Sequence, residues 1–292
     1  MRNIALLFLC EAFSRTGSIV VLSSMALIGR DLTPHPALAT LPLALVPIST
    51  MLTTIPAARL MQRRGRNIGF ALGACMGIIG GLIVFAALSQ AHFYLLCLGA
   101  VGIGTVNGFA TYYRFAAAEV VEESWRSRAI SLVMAGGIIA AIAGSNLATW
   151  SRDLFPEHLF AGSYLAIATI QGLVLTVLLF VRFPAPSIAE SGGGGRPLSE
   201  IARDANFVLA IIGAVASWAV MSLLMNATPL SMQRHMHSFD DTAWVIQWHV
   251  LGMFVPSFFT GHLINRFGER LIMSAGLAFL ATAALINLGG VA

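Results

Sequence analysis

The chain has 292 residues, 57% of them hydrophobic and only 10% charged, against about 25% charged in an ordinary soluble domain. That deficit excludes a water-facing globule, and the succession of long apolar stretches makes lipid the natural solvent. The net charge of +4 does not indicate a nucleic-acid partner, because the arginines are scattered among short loops and form no single basic patch.

A membrane-crossing helix needs about twenty mostly apolar residues. By that measure the sequence predicts spans over 3–28, 37–60, 68–90 and 93–115, then over 129–150, 159–182, 206–229 and 242–264, and a ninth over 270–290. The opening, Arg2 followed by the apolar run Ala5 to Cys10, has the layout of a signal peptide. The apolar stretch nevertheless continues past Glu11 and Arg15 to about Ile28 and reads as the first span. Cys10, Cys75 and Cys97 all fall within apolar segments and form no CxxC pair, so they indicate packing rather than a disulfide framework or a zinc site. Neither a cofactor nor a metal is predicted.

Between the sixth and seventh spans, residues 183–205 hold Pro184, Pro186, the glycines Gly192 to Gly195, and Pro197. Such a stretch cannot cross a bilayer and reads as a flexible linker, with a short amphipathic helix at Pro197 to Arg203 capped by Ser199. The predicted organisation is therefore an all-α integral membrane protein. It has a six-helix bundle over 1–182, a cytoplasmic linker over 183–205, and three further helices over 206–292. Cytoplasmic loops are enriched in Lys and Arg, and the even-numbered loops hold most of the arginines, among them Arg59, Arg63, Arg64 and Arg66 after the second span. The odd loops offer Arg30, Arg152 and Arg234. This places the N-terminus in the cytoplasm and the protein in the plasma membrane, a bacterial inner membrane.

One segment recurs at the same place relative to the spans. After the second span the chain reads Ala58-Arg59-Leu60-Met61-Gln62-Arg63-Arg64-Gly65-Arg66, and after the eighth Gly261-His262-Leu263-Ile264-Asn265-Arg266-Phe267-Gly268-Glu269-Arg270. A repeat so placed is expected of two parallel transporter halves. Gly65 and Gly268 permit a tight turn with positive φ, while positive-inside anchoring alone is the competing account of the arginines.

The pattern resembles the signature loop of the major facilitator superfamily, with Gln62 and Asn265 standing where the family has an acid. Gly136-Gly137 and Gly144-Ser145-Asn146 in the fifth span are similar to its antiporter-type segment, with Ser145 at a position usually held by Pro. The resemblance implies alternating access between two six-helix halves, twelve spans of which nine are predicted here. The chain then reads as a fragment, or as one whose second half another chain completes; a full-length form would be monomeric. It also implies that the first and fourth spans line a central cavity and that the signature loops gate it. Glu119, at the cytoplasmic end of the fourth span, would pair with Arg63 or Arg66 in partial replacement of the acid absent at Gln62.

Charges within a span are costly and functional by default, and Glu11 and Arg15 lie four apart, on one helix face. They read as a solute-binding or coupling pair, or as a polar clamp between helices. Asn107 lies deeper in the fourth span than Tyr112 and Tyr113, which fit either solute stacking or an interfacial belt. Gln247 and His249 in the eighth span complete the candidates, with Asn146 in the fifth, Gln171 and Asn226 weaker. His249 could carry a coupling proton, or be hydrogen-bonded within the bundle. Gly69, Gly73, Gly77 and Gly81, like Gly136, Ala140 and Gly144, form small-residue ridges for close helix approach.

No HExxH, G-x-S-x-G or phosphate-cradling loop occurs, and a chain without Lys cannot build a Walker site, so an enzyme is not indicated. The reading is a secondary active transporter of a small organic solute working by alternating access. The alternative is a membrane receptor or scaffold that does not transport.

Overall fold

The computed structural model describes residues 1–183 and 198–288, and every regular element among them is a helix. In chain order these are α1 (Arg2–Leu32), a 3-10 turn at Pro36–Leu38, α2 (Leu41–Arg64), α3 (Arg66–Ser89), α4 (Phe93–Ala110) and α5 (Tyr113–Glu119). After a second 3-10 turn come α6 (Arg126–Met134), α7 (Gly136–Arg152), α8 (Ala161–Leu178), α9 (Leu198–Ile201), α10 (Ala205–Arg234), α11 (Phe239–Phe254), α12 (Ser257–Phe267) and α13 (Glu269–Leu288).

Eight segments among the described residues are long and apolar enough to cross a membrane, one fewer than the sequence predicts. The difference lies in the eighth predicted span, 242–264. Pro256 has no N–H to donate and its ring crowds the preceding turn; the helix stops at Phe254 and resumes at Ser257. The fourth and fifth spans are also jointed, at Thr111-Tyr112 and at Ala135, but each retains a spanning length. Ser199 lies inside the short helix α9 and not before it, so it does not cap that helix. The glycine run of the linker lies outside the described residues.

By contacts the chain divides into two compact units, Met1–Pro186 with Pro229–Val255, and Ser187–Thr228 with Pro256–Ala292. Of the crossings between units, the two among the described residues fall at prolines, Pro229 within α10 and Pro256 between α11 and α12. In the first unit, helices approach closely because small residues line the contacts, the general means of packing where lipid removes the hydrophobic drive. A Cβ added to Gly73 would lie 2.6 Å from Phe109 Cβ, one at Gly80 2.8 Å from Ile103 N, and one at Gly81 2.9 Å from Tyr164 O. The ridge on α3 thus seats α4 on one side and α8 on the other. Gly136, Ala140 and Gly144 form the corresponding ridge on α7. Ala140 is fully buried, and added carbons at Gly136 and Gly144 would meet Phe8 O at 2.9 Å and Ile19 Cβ at 2.8 Å on α1. Gly104 on α4 lies against the Val46 carbonyl of α2.

In the second unit, α12 and α13 meet at Gly268, and Asn206 accepts a hydrogen bond from Arg270 Nη2 at 3.2 Å, fixing the start of α10 near the start of α13. Asp204 Oδ1 accepts from the Asn206 amide at 2.9 Å and occupies an exposed amide at the beginning of α10.

Candidate functional site

The first and fourth spans bring a polar stripe together. Glu11, Arg15 and Ser18 follow one another at helical spacing on one face of α1. Arg15 Nε donates to Glu11 Oε1 at 2.8 Å, with the Glu11 side chain 2% exposed and that of Arg15 35%. The acid is therefore the buried anchor and the guanidinium the accessible member. A guanidinium carries five N–H donors, and the bond to Glu11 is the only hydrogen bond of Arg15 among the described residues. One turn further along, Ser18 Oγ donates to Asn107 Oδ1 of α4 at 3.0 Å. Ion pair, hydroxyl and amide form one strip at the α1–α4 seam, with Arg15, Ser18 and Asn107 all half-buried.

The two tyrosines below this strip make contacts within the bundle. Tyr112 donates through its hydroxyl to the Thr54 carbonyl at 2.9 Å, tying the α4–α5 joint to α2. Tyr113 is 2% exposed and stacks on Phe70 with ring centroids 4.4 Å apart. Burial at that depth removes Tyr113 from both the interfacial belt and the solute-stacking surface.

The repeated loops adopt the same turn. Gly65, between α2 and α3, has φ 89° and ψ 159°, and Gly268, between α12 and α13, has φ 83° and ψ 155°. That region is open essentially to glycine alone. Each glycine N–H closes onto the carbonyl four residues back, Gly65 to Met61 at 2.9 Å and Gly268 to Ile264 at 2.8 Å. Glu119 at the end of α5 accepts from Arg66 Nε at 3.0 Å and also from Arg66 Nη2, a two-point pair, while the Arg66 guanidinium stands 5.7 Å from the Tyr112 ring centroid. The partner of Glu119 is thus Arg66 and not Arg63, which is exposed along with Gln62 on the last turn of α2. Ala58 is half-buried one turn earlier, and Arg266 stands 5.3 Å from the centroid of the Phe267 ring. The surroundings of Gly261 and Asn265 lie outside the described residues.

The remaining candidates are not gathered into the strip. Asn146 of α7 lines a separate cleft of about 540 Å³ with Ala12, Thr16 and Trp150, and its Nδ2 donates to its own helix at Ile142 O, 2.8 Å away. Gln247 and His249 ride on α11, whose buried Ile246 and Val250 pack with Ile19, Ala140 and Ala141. Gln247 is half-buried. His249 Nε2 is buried and has no hydrogen-bond partner among the described residues. No hydrogen bond or ion pair among the described residues joins either residue to Arg15 or Asn107. Gln171 is 1% exposed, wedged beside Gly77 and Val106, a place in the packing of α3, α4 and α8. Ser18 was not a sequence candidate; its signal is its register with Glu11 and Arg15.

Among the described residues no three His, Cys, Asp or Glu side chains cluster as a metal would require. Outside the spans, Asp241 at the start of α11 has its carboxyl held below the usual carboxylate range by hydrogen bonds from the Ser238 hydroxyl and backbone amide. It completes a capping box in which Ser238 Oγ accepts from the Asp241 amide at 3.1 Å.

Comparison with known proteins gives this arrangement its context. The family model of the Major Facilitator Superfamily matches residues 4–291. A riboflavin transporter, RfnT, of Brucella anthropi is 42% identical over 99% of this chain and 73% of its own length. Two uncharacterized MFS-type transporters of Bacillus subtilis, YdeG and YddS, are each 26% identical, over 96% and 98% of this chain and 68% and 69% of their own lengths.

Proposed function

Since the chain belongs to the major facilitator superfamily, we propose that it is a secondary transporter moving a flavin-like solute across the membrane by alternating access, with the α1–α4 strip as its solute-binding surface. The observation that carries the reading is the half-accessible Arg15 held on buried Glu11 beside Ser18 and Asn107. Charge within a span is retained where it faces a cavity or a partner, and this pair has both an internal partner and an open side. A riboflavin-class molecule presents an imide edge and a hydroxylated side chain. Those groups pair with a guanidinium, a hydroxyl and an amide without needing a full opposite charge on the solute. The similarity to a riboflavin transporter supports the same class.

The signature turn and the Arg66–Glu119 pair form the gate at the end of the bundle where α2 meets α3, the cytoplasmic end by arginine placement. Glu11 and His249 are the groups able to carry a coupling proton. The protein sits in the plasma membrane with its N-terminus in the cytoplasm, and a full-length form works as a monomer. The test is uptake of labelled riboflavin by proteoliposomes. Saturable uptake competed by unlabelled riboflavin and reduced at least tenfold by Arg15→Ala is expected; uptake indistinguishable from protein-free vesicles rejects the reading.

A further inference from the structure

At the end of the bundle opposite the Gly65 turn, a cation is held between aromatic rings contributed by helices from either side of the linker. The six spans up to Leu178 run alternately between the two ends, α4 with α5 and α6 with α7 each making one span, so the C-terminus of α7 and the N-terminus of α8 share the end remote from Gly65, and α11, whose first residue Phe239 packs on Phe160, begins there too. Arg152, the last residue of α7, places its guanidinium 5.7 Å from the Phe160 ring centroid and 5.3 Å from that of Phe239, the first residue of α11. The two rings meet edge to face, with centroids 5.0 Å apart at 66°. Both distances lie within the roughly 6 Å reach of a cation–π contact.

The fold invests in this arrangement. Phe160 sits in the left-handed region at φ 67°, uncommon for a bulky residue, and its N–H closes back onto the Arg152 carbonyl at 2.9 Å. That closure brings the ring over the guanidinium of the residue whose carbonyl it bonds. Phe160 and Phe239 are 7% and 9% exposed, well buried for loop-end positions. The nearest acid, Asp153, stands 3.6 Å from Arg152 Nε, beyond hydrogen-bond range; Nε is buried without a hydrogen-bond partner among the described residues. The guanidinium at the seam is thus shared between an ion pair with exposed Asp153 and the two aromatic rings. Behind Phe239, the Ser238–Asp241 capping box fixes the direction in which α11 starts.

We infer that Arg152, Phe160 and Phe239 form a latch that holds the α7 and α11 ends together and closes the solute pathway at the end opposite the Gly65 turn. Cation–π contacts suit a reversible gate. They are directional and weak enough to part, and while they are joined the Arg152 side chain is only 33% exposed, with Nε buried. This inference rests on the transport reading, because only a protein that alternates access needs that end to open.

The test uses the whole chain in proteoliposomes, with Cys10, Cys75 and Cys97 replaced by alanine and a reporter cysteine at Leu22. Leu22 is half-buried on the Arg15 face of α1, nearer the latch, and packs against the α7–α11 cluster. A membrane-impermeant maleimide is applied from the side on which an Asp153→Cys control reacts. Arg152→Gln and Phe239→Leu are each expected to raise the labelling rate at least about fivefold, and the double variant no further than the stronger single one. Arg152→Lys, which keeps the charge and loses the planar group, should fall between. Labelling at the wild-type rate in both single variants overturns the latch; so does a lowered melting temperature with unchanged labelling, the result for a residue that only anchors the α7–α8 loop. Riboflavin uptake is measured on the same vesicles. Normal uptake with unchanged labelling rejects the latch alone, and faster labelling without uptake in the parent protein rejects the transport reading alone.

Discussion

Removing Arg15 separates the solute-binding account of the α1 pair from a purely structural one. Loss of one partner of a buried ion pair costs ~3–5 kcal/mol, but the Arg15 side chain is 35% exposed, and water reduces the figure for whichever charge it reaches. Arg15→Ala strands the Glu11 carboxylate, 2% exposed, and should cost ~3 kcal/mol; Glu11→Gln keeps an acceptor for Nε and leaves the more accessible charge, so ~1–2 kcal/mol is expected. At ~2–4 °C per kcal/mol for a chain of this size, the detergent-solubilised variants should melt roughly 6–12 °C and 2–8 °C below the parent. The double variant Glu11→Gln with Arg15→Met removes both charges and should recover most of that loss, as buried pairs replaced by apolar or neutral groups commonly do. Transport must behave differently. A hydrogen bond from a charged donor contributes ~1.5–3 kcal/mol, equivalent to roughly 10- to 150-fold in affinity. Riboflavin uptake should therefore fall by at least tenfold in Arg15→Ala and stay low in the double variant even though its melting temperature returns. Uptake restored together with stability would refute the binding role and leave the pair as a clamp between helices.

Three further outcomes follow from the same geometry. Gly65→Ala forces a Cβ into a backbone region that only glycine occupies freely, at a cost of ~1–3 kcal/mol, and Gly268→Ala should cost the same because the two turns coincide in φ and ψ; thermal melting of the single variants checks the equivalence. Glu119→Gln breaks a pair whose members are 44% and 20% exposed, so the protein should stay folded and lose ~1 kcal/mol or less. A change of up to about fivefold in the labelling rate of the Leu22 reporter would accompany it, in the direction opposite to that produced by Arg152→Gln. Cysteines placed at Arg64 and Asp153, both exposed, should react with an impermeant reagent from opposite faces, the first from the cytoplasmic face only, and reaction of both from one face would overturn the topology.

What could be read from the sequence follows physical range. Span positions were legible because some twenty apolar residues in a row have one solution in lipid. The interruption at Pro256 did not follow from the sequence, which predicts one span over 242–264: a proline within a span kinks or ends it depending on whether neighbours re-satisfy the freed carbonyls, and here α11 ends while α10 runs on through Pro229. The Glu11–Arg15 pair needed only helical spacing, and the conformation of Gly65 and Gly268 only the absence of a side chain, so both are local facts. Asn107 meeting Ser18, and Arg66 rather than Arg63 meeting Glu119, depend on how α1, α4 and α3 are rotated about their axes. The glycine ridges set that rotation, by allowing backbone contact on one face alone. Asn146 shows the limit most plainly. It follows the Gly136, Ala140, Gly144 ridge closely in sequence, yet the same packing that drives that ridge against α1 turns the amide into a different cleft, lined by Thr16 and not Arg15. A polar residue in a span marks a candidate; which helix face the small residues claim decides whether it can meet the others.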